Sequence, residues 1–110
     1  MPPQVRVYVV SEEELPLDKL ADLFPEYKAI LPHSKNEIAL TCNRTIQSRD
    51  EFRAEYERVA GVLAPVLDTE THLGCLYDDE EGRTKFQVEL YNTPDTHSFH
   101  ETDPPSYMDR

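Results

Sequence analysis

The stretch SRDEFRAEYERVAGVLA, residues 48–64, decides how this chain folds, and Pro65 follows it at once. Phe52, Tyr56, Val59, Ala60 and Leu63, with Leu67 beyond, recur at three- and four-residue intervals. At 3.6 residues per turn that spacing lays them along one face, the mark of a helix packed on a core. Ser48 with Glu51 reads as a capping box, in which each side chain satisfies a backbone N–H that the first turn leaves without a partner. Pro65 has no N–H and its ring crowds the carbonyl of Gly61, so the helix stops or kinks there.

Working outward, the segments on both sides change period. Before the helix, Ile38, Leu40 and Cys42 alternate with Glu37, Ala39, Thr41 and Asn43, which predicts a half-buried strand. After it, Thr69 to Tyr77 puts Leu73, Cys75 and Tyr77 on one face and His72, Gly74 and Leu76 on the other. Asp78-Asp79-Glu80-Glu81-Gly82 then reads as a hairpin loop, with Gly82 supplying a positive φ. Lys85 to Tyr91 returns with Phe86, Val88 and Leu90 inward. At the N-terminus, Val5 to Val10 is apolar on both faces and suits a central strand.

Ser11-Glu12-Glu13-Glu14 repeats the Ser-x-x-Glu pattern and predicts the start of a short helix with Leu17, Leu20, Ala21 and Phe24 on one side. Pro25 interrupts it, and Glu26 to Leu31 is expected to make one more helical turn before Pro32. From Thr93 onward no period survives and the segment is polar and proline-rich. The expected organisation is one acidic α+β domain over residues 1–93 and an irregular tail over 94–110. The order β-α-β-α-β-β predicts a four-stranded sheet, mixed or antiparallel, with two helices on one face of a two-layer sandwich.

Composition narrows the function classes. A chain of 110 residues builds one core, and its 38 % hydrophobic content includes no apolar run of the roughly 20 residues that span a bilayer. MPPQVRVYVV lacks the basic and apolar regions of a secretory signal, so a cytoplasmic setting is expected, the host cytoplasm if the chain is viral. In that setting Cys42 and Cys75 read as buried thiols. With 22 acidic against 11 basic residues the net charge is −11, which argues against binding a nucleic-acid backbone or an anionic membrane.

Catalytic and metal frames are weak. His97 and His100 with Asp95, Glu101 and Asp103 have ligand types, but no His-Glu-x-x-His or cysteine pair accompanies them, so no metal is expected. Cys42 or Cys75 beside His33 or His72 would make a dyad, yet an inward-facing thiol is inert. Gly61, Gly74 and Gly82 stand too far apart to cradle a phosphate. Neither a cofactor nor catalysis is expected.

The remaining signal is where the acid sits. Glu12, Glu13, Glu14, Asp18, Asp22 and Glu26 form one cluster, and Asp78, Asp79, Glu80 and Glu81 form a second at the hairpin. On the main helix the arginines balance the acids. Carboxylates on rigid elements can mimic a nucleic-acid backbone and steer a protein to a basic partner. The expected function is a small non-catalytic binding protein, an inhibitor of the immunity or phage-type anti-defence kind, that blocks a basic nucleic-acid-handling protein through these ten residues. Two alternatives use the open sheet face. One is a small-molecule-binding or enzymatic domain lined by Tyr8, His72, Cys75 and Tyr91, and the other is a subunit that pairs with its own copy.

Overall fold

Residues 2–30 and 34–102 are described by the computed structural model. Along the chain run β1 (Gln4–Ser11), α1 (Leu17–Asp22), β2 (Lys28–Ile30), β3 (Glu37–Asn43), α2 (Arg49–Leu63), β4 (Thr71–Asp78), β5 (Thr84–Thr93) and β6 (Ser98–Glu101). The six strands form one sheet in the order β2-β3-β1-β4-β5-β6, and every neighbouring pair is antiparallel. The α+β class therefore holds, but the four-stranded sheet and the β-α-β-α-β-β order do not.

Two additional strands overturn that order, and each forms because an edge of the sheet offers backbone partners. Between Pro25 and Pro32 there is room for only one helical turn, too short to be stable alone. Leu23 N–H closes α1 on the Leu20 carbonyl, a turn bond from Tyr27 N–H to the Phe24 carbonyl follows, and Lys28–Ile30 then pairs with Thr41, Leu40 and Ala39 of β3. Leu31 to His33 lie outside the described residues. At the other edge, Thr96 N–H and its hydroxyl both donate to the Thr93 carbonyl, and His97 takes φ 49°, which turns the chain back. Ser98–Glu101 pairs with Thr93–Leu90, and Phe99 packs against the core from a segment read as irregular.

Ser11 also differs from expectation. It ends β1, hydrogen-bonded from its N–H to the Asn36 carbonyl, while its hydroxyl meets Thr69 and accepts from Glu13 N–H. The N-cap of α1 is Pro16, with no side-chain cap.

The main helix follows its sequence closely. Ser48 is the N-cap and its hydroxyl accepts from Glu51 N–H at 3.1 Å. Glu51 reaches back to Gln47 N–H rather than to that of Ser48. The α-helix ends at Leu63, and Ala64–Val66 continues as a 3-10 turn around Pro65. Phe52, Tyr56, Val59, Ala60, Leu63 and Leu67 are all buried.

Val5, Val7 and Val9 of β1 stand beside Ile38 and Leu40 of β3 and Leu73, Cys75 and Tyr77 of β4. They form one core with Leu20 and Phe24 from α1 and its exit, and with the apolar face of α2. Both helices thus cover the same face of the sheet. Among the described residues no helix is long and apolar enough to cross a membrane.

Candidate protein-binding surface

Strand alternation leaves the opposite face of the sheet uncovered, and the register maps it row by row. One row runs Ile30, Ala39, Tyr8, Gly74, Glu89, and the next runs Glu37, Val10, His72, Tyr91, His100. A third runs Lys28, Thr41, Arg6, Leu76, Gln87. The large apolar side chains exposed among the described residues are Ile30 (52 %), Val10 (42 %), Tyr8 (37 %) and Tyr91 (37 %), and all four stand in these rows. Four such side chains on one face form a patch rather than the scattered exposure common on soluble domains.

Charge on this face is largely matched. Arg6 Nε lies 2.7 Å from Asp78 Oδ2, at an angle too bent for a hydrogen bond, while Nη2 donates to Oδ1 at 3.2 Å. Arg6 Nη1 also donates to the Tyr8 hydroxyl at 2.8 Å, with the guanidinium 5.7 Å from the ring centre. His72 meets Glu89 across the two neighbouring strands. Gly74 stands between Tyr8 and Glu89 without a side chain and is buried, with the Glu89 carboxylate lying beside it.

The two acidic clusters are placed differently from one another. Ser11 of β1 faces Thr71 of β4, while Gln4 faces Asp78, so Glu12–Glu14 and the Asp79–Glu81 loop sit at opposite ends of the sheet. Seven residue steps at roughly 3.3 Å separate those ends by about 23 Å. Asp78 is buried and bound to Arg6, Gln4 and Thr84. Burial raises its pKa, but the Thr84 hydroxyl and Arg6 outweigh that and hold it below the ordinary value. Asp79 caps its own loop by accepting from Glu81 and Arg83 N–H groups, and Glu81 pairs with Arg83. Glu26 pairs with Arg58 on α2, and its pKa is lowered by its own backbone N–H and by that arginine.

Glu80 stays in the β4–β5 hairpin loop, whereas Glu12, Glu13 and Glu14 lie at the Ser11 end. Glu12, Glu13, Asp68, Glu70 and Asp95 line one hollow of about 310 Å³ with no basic residue in its wall. Glu14 and Asp18 line a neighbouring hollow that also holds Lys19 and Lys35, and Asp22 is exposed at the end of α1. Asp68 and Glu70 carried no local signal in the sequence, and Asp95 stood out only as a ligand type beside His97. Pairing of β4 with β1 brings the first two beside Glu12, and the β5–β6 turn brings the third. Tyr91 links the two surfaces: its side chain is on the open face, and the Glu70 carboxylate raises its pKa.

Beneath the helices the chemistry is closed. Cys75 is buried on the covered face, away from Tyr8, His72 and Tyr91, and burial pushes its thiol up to about 12. Cys42 is raised by burial as well. Neither thiol is primed for attack. Glu55 is buried on α2 and held by Arg44 and by Arg58 Nε at 2.8 Å. The Tyr27 hydroxyl, also buried, finds no hydrogen-bond partner among the described residues, and burial raises its pKa. His97, His100 and Glu101 line a groove between β6 and α2, but among the described residues no three His, Cys, Asp or Glu side chains converge as metal ligands. His33 and Asp103 lie outside the described residues.

No family model, curated protein or solved structure matches this chain.

Proposed function

We propose that this chain is a non-catalytic binding protein that occupies a basic protein partner with its open sheet face and the acidic hollow at the Ser11 end. The observation that carries this reading is the hollow lined by Glu12, Glu13, Asp68, Glu70 and Asp95, a group of carboxylates from three chain segments one register step beyond the exposed Val10–His72–Tyr91 row. Aromatic side chains set in a shallow face are the usual anchors of an interface, and an unmatched charge beside them steers approach and selects a partner of opposite sign. A partner that handles nucleic acid has such a basic surface, and covering it would make this chain an inhibitor.

The test is affinity capture with the full chain, washed at about 0.1 M and about 0.5 M salt, since exposed charge is screened between those limits. The expected result is a basic partner retained at low salt and released at high salt. Glu12→Lys with Glu13→Lys and Glu70→Lys should abolish capture, as should Tyr8→Ala with Tyr91→Ala. Nucleic acid should compete with the chain for the captured protein. Capture that both sets of variants leave unchanged would remove this reading.

A further inference from the structure

A different surface carries a second recognition property. β5 spans ten residues, but β6 pairs only with Leu90–Thr93. Thr102 N–H adds one bond to the Glu89 carbonyl at 3.0 Å, and beyond it no described strand covers the outer edge of Thr84–Val88. In an antiparallel ladder alternate residues turn their N–H and C=O to the same edge, so after Glu89 the next to face outward is Gln87. By the same register Pro104 would stand opposite Gln87, and proline has no N–H to give.

The floor beside this edge is aromatic and basic. Phe86 stacks between Phe52 at 5.5 Å and Tyr77 at 6.1 Å. Arg49 and Lys85 hold their charges 5.6 and 5.8 Å from the Phe86 ring centre, and Arg53 donates to the Tyr56 hydroxyl nearby. Arg49, Arg53, Phe86, Gln87 and Val88 line a small hollow of about 90 Å³, closed at one end by Glu101. In a chain of net charge −11, this is a local concentration of cations against an edge that no described strand covers.

We propose that the edge of β5 between Thr84 and Val88 receives an extended segment of a partner protein by strand addition, with an acidic side chain seated over Phe86 between Arg49 and Lys85. Backbone hydrogen bonds supply attachment and the cations supply selection, as in other strand-addition modes. Charge complementarity favours this occupant over a second copy, because pairing two such edges brings Arg49 and Lys85 towards their own equivalents. Glu101 at the far end repels an acid there, which fixes where along the segment the acidic side chain falls. This property does not depend on the basic partner proposed above.

The probe is the capped peptide Thr-Val-Asp-Val-Thr, titrated to about 1 mM against the isotope-labelled full chain, with Thr-Val-Lys-Val-Thr as control. The expected result is a selective shift of the Lys85 and Gln87 amides and slowed hydrogen exchange at Gln87, with the lysine peptide at least about tenfold weaker. Arg49→Glu, which keeps a helix-compatible residue in the first turn of α2, should weaken the acidic peptide about tenfold. Gln87→Pro should abolish binding while the fold survives, because proline is tolerated on a strand edge. Equal binding of the two peptides, no shift at either amide, or a Gln87 amide already protected without peptide would each overturn the proposal. The last outcome would mean that residues 103–110 already occupy the edge.

Discussion

Glu55 and Arg58 lie one turn apart on α2, and the buried carboxylate of the first accepts Nε–H of the second at 2.8 Å. Arg44 approaches the same carboxylate from the chain after β3, and Arg58 also reaches Glu26. The helix is thereby tied to the β3 exit and to the turn before β2. The side chain of Glu55 is 2 % exposed, whereas those of Arg44 and Arg58 are 40 % and 44 % exposed.

That asymmetry predicts unequal losses. Glu55→Gln leaves two arginines that water can still reach, and should cost about 1–2 kcal/mol. Arg44→Met with Arg58→Met strands the buried carboxylate and should cost about 3–5 kcal/mol. Chemical denaturation of the two variants at neutral pH checks the order, and equal losses would refute it.

Asp78 sets an acid limb of stability. Its folded pKa lies below the ordinary 3.8, so it stabilises the fold above that value and the contribution is lost as pH falls through the lower, folded one. Asp78→Asn should lower stability by about 1–2 kcal/mol at pH 7, and the gap from the parent should narrow as pH falls below 3.8. Thermal melts across that range decide the matter.

Two glycines predict opposite signs. A methyl group at Gly74 would sit 3.7 Å from Glu89 Oε2, ordinary contact distance. Gly74→Ala should therefore raise the melting temperature by about 2–4 °C through lower chain entropy in the unfolded state. It would also add a methyl group to the open face beside Tyr8, so partner capture should weaken as stability rises.

Gly82 turns the β4–β5 hairpin with φ at +81°. Gly82→Ala meets no steric neighbour but forces a left-handed backbone on a residue with a Cβ, at a cost of about 1 kcal/mol. A melting-temperature drop that accompanies the Gly74→Ala rise would separate backbone conformation from packing.

The sequence by itself determined the parts of this protein written in short-range periodicity. Phe52, Tyr56, Val59 and Leu63 named the buried face of α2, Ser48 and Pro65 bounded it, and the alternation in β1, β3, β4 and β5 told which side chains share a face. These signals are local because helix and strand periods repeat within a few residues. Tertiary structure alone decided β2 and β6, whose residues have little period of their own and become strands because a sheet edge offers hydrogen bonds. It also decided which acids work inside the fold. Asp78 and Glu26 were matched to Arg6 and Arg58, far away in sequence, while strand pairing carried Asp68 and Glu70 to Glu12. Charge acts across space and leaves no mark on spacing along the chain, so the acidic end and the basic edge of β5 became visible only once the strands were paired.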